Sequence, residues 1–373
     1  MIGGGPDRLS WPAAHRLPAE SPSSQVSVSP PSPFQVRSPR LTTTTEAPVR
    51  GDLVTTRARW RTGDGLFRGG VSAAGAVTIL IVIATAVFLV IQAFPALARY
   101  GVVSFLTSAA WAPSEAATAA PGVNPYGILQ FIYGTIITSV IAMVIAVIFS
   151  VGVALVITDI APQWMRRPLS YLVDLLAAIP SVVYGFWGIF AFLPAIKPIG
   201  AGISDALGGV PVIGAVFAGP FFGPSYVAAA LVLAIMVLPI VTALCREVFA
   251  VAPIAEKEAA LALGATRWEM LRMAVLPRSR SGIVGASILG LGRAIGETIA
   301  VTMLIGNSVQ GISASIFGQG ATMPSVIANE FTEATEPFHL PSLFVVAAWL
   351  FVIAIIVNVA GKLVIRRAGE TIA

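Results

Sequence analysis

VSAAGAVTILIVIATAVFLVIQAF, residues Val71 to Phe94, contains no Asp, Glu, Lys or Arg. At about 1.5 Å rise per residue, these 24 residues form a helix about 36 Å long. That crosses a hydrocarbon layer about 30 Å thick with some tilt. The bias extends to the whole chain. Charged residues make up 11% of the 373 and hydrophobic ones 56%, and mean hydropathy is +0.85. A soluble domain carries about 25% charged residues, because its surface must hold water. Too little charge is present to coat a globule, so the remaining surface faces lipid. This excludes an ordinary cytosolic enzyme. A single Cys245 excludes an internal disulfide framework, and His15 and His339 alone provide no Cys/His cluster for zinc.

Outward from this run the pattern recurs. The reading is all-α, a polytopic membrane protein with six transmembrane helices, at about 71–94, 132–157, 171–193, 226–244, 283–305 and 343–365. Residues 70–367 form the membrane domain, followed by a short cytoplasmic tail at 368–373. Residues 1–69 read as a disordered Ser/Pro/Thr-rich tail ending in a basic juxtamembrane segment. Residues 198–224 are apolar but crowded with Gly and Pro, which predicts an external folded loop or a partly re-entrant segment. Pro180 and Pro239 predict kinks in their helices. Trp111, Trp164 and Trp349 near span ends suit interfacial anchoring.

Positive charge sets the orientation. Arg57, Arg59, Arg61 and Arg68, then Arg166 and Arg167, then Arg246, Lys257, Arg267, Arg272, Arg278 and Arg280, then Lys362, Arg366 and Arg367 all fall on one side of a six-span chain. Arg99 and Lys197 fall on the other. The positive-inside rule then puts both termini in the cytoplasm. Because the Lys and Arg residues are divided among loops, no nucleic-acid face is expected.

The cytoplasmic segment 247–282 predicts a helix–turn–helix. Pro253 suits a first helical position, and Gly264 supplies a left-handed stop. Thr266 and Glu269 have capping-box spacing, and Pro277 disfavours helix at Leu276. Small residues Ala259, Ala260 and Ala262 would let another protein approach closely. On the residues alone, an amphipathic loop resting on lipid headgroups is an equal reading. Arg293 and Glu297 stand inside the fifth span, where each costs about 2.5–3.5 kcal/mol at the bilayer centre. The i,i+4 spacing puts both on one helical face, with Gly282, Ala286, Gly290 and Ala300 on the same stripe. They read as lining a pathway or as an internal ion pair. Arg presents a fork of donors that fits a tetrahedral oxyanion, and Glu297 could hold that fork or accept from a protonated oxyanion. Thr298 and Thr302 could offer neutral donors. Gly292 and Gly296 read as helix-packing residues, and Asp174 as a first-turn carboxylate stabilised by its helix dipole.

Glu258-Ala259-Ala260, then Gly264, then Leu276-Pro277, resembles the EAA loop of ABC-importer membrane subunits. Tyr133-Gly134-Thr135 with Thr138-Ser139, the run Ala177 to Gly185, and Gly292 to Thr298 resemble the PstC-type permeases of bacterial phosphate-specific ABC importers. The resemblance covers roughly residues 70–367. It implies a type I ABC importer permease fold and a coupling helix at Glu258, Ala259, Ala260, Gly264, Leu276 and Pro277. It also implies a phosphate path through Arg293 and Glu297. The implied partners are a PstA-like second permease, two PstB-like ATP-binding subunits and a PstS-like external phosphate-binding protein. No G-x-x-x-x-G-K-[ST] phosphate loop occurs, so ATP is expected to be hydrolysed by partners, with no cofactor or metal of the chain's own. An importer subunit for sulfate or molybdate, and a proton-coupled carrier using Glu297 and Asp174, are the alternatives. A carrier has no need of an ATPase-docking helix pair.

Overall fold

The computed structural model describes residues 53–116, 123–211 and 214–370. Most of the expected tail, residues 1–52, lies outside the described residues, as do 371–373. The first helix, α1, runs Leu53–Tyr100, so residues 53–69 are helical and not part of a disordered tail. Residues from Gly69 onward form one compact unit. Among the described residues of that unit there is no strand, only the isolated bridges Trp111–Tyr126 and Gly306–Gly320.

Five helical stretches are long and apolar enough to cross a membrane: Asp64–Tyr100, Leu129–Ile160, Ser181–Leu207, Tyr226–Ala250 and His339–Arg366. Arg280–Ile295 and Ile299–Ile305 meet at a 66° bend, and together have the length and composition of either a sixth, broken crossing or a re-entrant loop. The second crossing helix, α2 (Leu129–Leu155), ends in a π-turn, Val156–Ile160.

The third crossing is displaced from its expected position. Pro180 does not kink a span at 171–193; it separates two helices. Ile179, held extended (φ −66°, ψ 128°) by the proline that follows, ends α3 (Gln163–Ala178). Pro180 then caps the crossing helix α4 (Ser181–Leu207), which contains a π-turn at Gly188–Phe192. Residues 198–207, expected in an external loop, are therefore the outer turns of α4. Gly200 is required there because the Phe221 ring lies where its Cβ would stand. Beyond α4 the chain is irregular, with a short helical turn at Gly214–Phe217.

The helix α5 (Tyr226–Ala250) is the axis of the core, with 61% of its apolar window buried. It is apolar all round, as a helix enclosed by other helices must be. Small residues Ala142 and Ala146 of α2 and Ala230 and Ala234 of α5 are buried in one cluster. Lipid tails are as apolar as Leu, so helices here adhere by close packing. Ser150 adds a hydrogen bond from its hydroxyl to the Leu238 carbonyl at 2.9 Å, one residue before Pro239.

The outer end of α2 receives a returning loop. Met323 N–H donates to Thr135 Oγ1 at 2.9 Å, and that hydroxyl donates to the Phe131 carbonyl at 2.7 Å. Any Cβ on Gly134 would fall on the Ala321 carbonyl oxygen. The Tyr133-Gly134-Thr135 block is therefore the seat of the loop. Gly134→Ala is expected to destabilise the detergent-solubilised protein by about 1–3 kcal/mol, the usual penalty of overpacking. Gly152→Ala, in open space on the same helix, is the control and should leave the melting curve unshifted or slightly raised.

Candidate functional site

After α5 the chain crosses Val251 and Ala252 and enters the hairpin at 254–278. Its first helix, α6, runs Ile254–Ala262. Pro253 is the N-cap and not the first helical residue; its ψ of 127° turns the chain into the helix. Glu256 lies in the first turn, where the helix dipole favours a carboxylate. Gly264 has φ +86°, and two nested bonds close the end of the helix: Ala265 N–H to the Ala260 carbonyl at 3.2 Å and Gly264 N–H to the Leu261 carbonyl at 3.0 Å. This is a Schellman stop, and it needs the left-handed residue that glycine supplies.

Thr266 opens α7 (Arg267–Met270) with a complete capping box. Its backbone N–H and hydroxyl both donate to Glu269 Oε2 at 2.8 Å, while its Oγ1 accepts from the Glu269 N–H at 3.3 Å. These bonds, the backbone one first, hold the Glu269 carboxyl below the usual carboxylate range. Leu276, expected to fall outside the helix, is helical. A π-turn at Leu271–Val275 precedes it and Pro277 sits in the first turn that follows, so the missing proline N–H has no partner to lose. Leu276 packs against the core behind the hairpin. Leu276 and Pro277 therefore hold the hairpin, whereas Ala259, Ala260 and Gly264 line its open groove of about 660 Å³. Glu258 is exposed beside the groove. Leu263, 90% exposed, and Trp268, 61% exposed, stand at the same tip, an apolar surface that a water-facing loop would not display without a partner.

Sequence reading missed Asp159 at the inner end of α2. Lys257 Nζ meets its Oδ1 at 2.6 Å, and the Thr158 hydroxyl donates to its Oδ2 at 2.9 Å. The available signal was an acid ending a long apolar run, with a lysine in the hairpin to answer it.

The helix α8 (Arg280–Ile295) stops at Gly296, and α9 (Ile299–Ile305) restarts in a new direction. Arg293 and Glu297 therefore do not share one continuous helical face. They make no salt bridge with each other or with any other described residue. Arg293 is exposed and Glu297 half-buried. Thr298 and Thr302 turn their hydroxyls onto the break: Thr298 Oγ1 donates to the Gly296 carbonyl at 3.3 Å and Thr302 Oγ1 to the Thr298 carbonyl at 2.7 Å. Asn307 Nδ2 then donates to the Thr302 carbonyl at 2.7 Å. These donors satisfy backbone carbonyls instead of standing free.

Helix packing is carried by Gly282 and Gly290, which abut Val248 and Val241 of α5, with Ala286 buried between them. Gly292 and Gly296 meet no neighbouring side chain, so the packing role expected of them falls to Gly290. Their side of the bend, with Arg293, is open. Discontinuous membrane helices of this kind present ligand-binding groups in transporters.

Two other expectations change. Asp174 lies late in α3, not in a first turn, and pairs with Arg246 at 3.6 Å. Trp111 is 4% exposed and does not anchor at an interface; its Nε1–H donates to Glu330 Oε2 at 2.7 Å. His339 Nε2 meets the same oxygen at 2.8 Å, and Tyr126 stacks on the His339 ring. The short helix α10 (Met323–Glu330) ends in this cluster, and the last helix, α11 (His339–Glu370), starts from it. Burial, then the neighbouring Tyr100, Glu336 and Glu330, push the Tyr126 phenol up to about 12, so it remains the donor to the Pro337 carbonyl at 3.0 Å.

Residues 150–370 match the binding-protein-dependent transport system inner membrane component family. The phosphate transport system permease protein PstC of Xylella fastidiosa (strain 9a5c) is 41% identical over 87% of this chain and 96% of its own length. The protein of the same description from Mesorhizobium japonicum is 38% identical over 86% and 95%. A solved inward-facing structure of the MetNI methionine ABC transporter aligns at TM-score 0.48 and 16% identity over 65% of this chain and 95% of that one. The chain belongs to the binding-protein-dependent transport system inner membrane component family, as a multi-pass permease component of an ABC transporter. Within that family it groups with the PstC phosphate transport system permeases.

Thr266→Ala should weaken the start of α7 by about 1 kcal/mol, read as faster amide exchange at Glu269. The folded Glu269 pKa is depressed, so the stability from its box is present above the ordinary carboxylate pKa. It fades as pH falls through the folded value. The exchange difference between wild type and variant should therefore shrink on acidification.

Proposed function

We propose that this chain forms half of the translocation path of an ATP-driven importer of inorganic phosphate in a bacterial inner membrane. Its partners in this reading are a PstA-like second permease, two PstB-like ATP-binding subunits that hydrolyse the nucleotide, and a PstS-like external phosphate-binding protein. Both termini are cytoplasmic in this reading, which the distribution of Lys and Arg supports. The observation that carries the reading is Arg293: exposed beside a broken membrane helix, without a carboxylate partner among the described residues. An intramembrane guanidinium is too costly to leave idle, and its fork of donors matches a tetrahedral oxyanion. The relatives named for phosphate transport supply the choice of oxyanion. Glu297, half-buried across the bend, fits the same choice. A carboxylate accepts a hydrogen bond from a protonated phosphate, whereas fully ionised sulfate has no proton to give.

Thr298 and Thr302 keep the bend closed and hold the path open beside it. The groove at Ala259, Ala260 and Gly264 receives the ATP-binding subunit, and nucleotide-driven closure of that subunit pair moves the hairpin.

In the reconstituted complex, Arg293→Ala should lower phosphate uptake roughly tenfold or more, the loss of a charged hydrogen-bond donor, while the subunits still co-purify. Unchanged uptake would remove Arg293 from the path, and sulfate uptake equal to phosphate uptake would overturn the choice of substrate. Gly264→Val forces a β-branched residue into the left-handed region at about 1–2 kcal/mol or more. It is expected to leave ATP hydrolysis running without uptake, or to release the ATP-binding subunit. Normal coupled transport by this variant would reject the docking role.

A further inference from the structure

We infer that Lys257 and Asp159 are a positioning pair through which displacement of α6 is passed to the transmembrane body, an inference that rests on the importer reading above. The helix α6 has no fully buried side chain. Its N-terminal side hangs on the turn at Val251–Pro253, and its C-terminal side on the Gly264 stop. Lys257 is its charged attachment to the body. The side chains of Lys257 and Asp159 are 18% and 10% exposed, and the pair spans 98 positions of sequence at 2.6 Å. Asp159 is itself fixed. It lies in the π-turn Val156–Ile160, closed by the Ala161 N–H bond to the Val156 carbonyl at 2.7 Å, and Thr158 occupies its second oxygen. A short, charge-assisted bond between two held ends resists displacement better than the surrounding apolar contacts, which are non-directional.

The geometry beyond Asp159 leads to the broken helix. α2 carries Met143, whose Cε lies 3.3 Å from where a Cβ on Gly290 of α8 would stand. Arg293 is one turn further along α8. A shift of the inner end of α2 is therefore felt at the segment that bears the open guanidinium. The groove face of α6 points the other way: Ala259 lines the groove, while Lys257 reaches back to the body. One helix thus shows a partner-facing surface and a body-facing charge, and the ion pair joins them.

The test is the number of phosphates moved per ATP hydrolysed in proteoliposomes holding the full complex. Lys257→Gln and Asp159→Asn keep side-chain size and remove one charge each. Both are expected to lower that ratio by about tenfold or more, within the range of coupling between distant sites, with the subunits still co-purifying. The double exchange, Lys257→Asp with Asp159→Lys, is expected to restore much of the ratio, and Lys257→Arg to keep it. A wild-type ratio in both single variants overturns the inference. So does a lowered ratio that the exchange leaves uncorrected, because the two residues then act separately. A complex that dissociates in all the variants also overturns it, by placing the pair in assembly. Absence of ATP-dependent phosphate uptake in the wild type would instead sink the importer reading, so the two failures are distinguishable.

Discussion

Hydrocarbon offers no hydrogen bonds, and the main departures from helix among the described residues draw a donor or acceptor from the chain itself. The bend between α8 and α9 turns the Gly296 carbonyl out of the helical ladder, while the Thr298 carbonyl keeps the Thr302 N–H at 2.9 Å and gains a second donor. The Thr298 and Thr302 hydroxyls meet them, and Asn307 meets the next one out. At one end of α2 the backbone leaves regular helix through a π-turn, closed by the Ala161 N–H on the Val156 carbonyl at 2.7 Å. The loop that returns onto Gly134 places the Met323 N–H on Thr135. Irregular backbone is tolerated where these partners exist, and those places coincide with the bend beside Arg293 and with the junction below the hairpin. The fold and its functional geometry thus follow from one requirement.

The same requirement explains what was legible in the sequence. Apolar runs announced the crossings at 71–94, 132–157, 226–244 and 343–365, because burial in lipid imposes length and composition together. The hairpin was legible down to single bonds: Gly264 and the Thr266/Glu269 box act locally, between residues three to five apart. The third crossing was not. Whether a proline kinks a helix or separates two depends on what lies on either side in space. Gly200 is needed in its helix because Phe221, twenty-one positions later, packs where a side chain would stand. Arg293 and Glu297 stood out in the sequence as charges in an apolar run, but their geometry did not. Four-residue spacing places two groups on one face only if the helix between them continues. Here Gly296 ends it, with hydroxyls available to satisfy the break. Asp159 was hidden by its position at the end of an apolar run, where an acid reads as a boundary. Its meaning comes from a lysine nearly a hundred residues away.

At the end of the bundle opposite the hairpin, the structure is fastened by aromatic and polar contacts that composition did not separate. Trp111 and His339 both address one oxygen of Glu330, and Tyr126 lies on the imidazole. Tyr100 packs edge-on against Phe105, Tyr126 and Phe338. Aromatic pairs of this geometry add about 0.5–1.5 kcal/mol beyond the area they bury. The cluster joins the ends of α1, α2 and α11 through residues that, taken singly, look like membrane-interface anchors.

The first crossing makes a separate point. None of its apolar window is buried by the rest of the chain, yet Ala93, Ala96 and the Tyr100 cluster clamp its outer end. Phe88 meets Phe344 a little further in. A rod gripped at one end and bathed in acyl chains along the rest is a cantilever. A neighbouring subunit or lipid can settle along Val77 to Val87 without evicting anything, and the free length can swing while the grip and the central bundle stay in register.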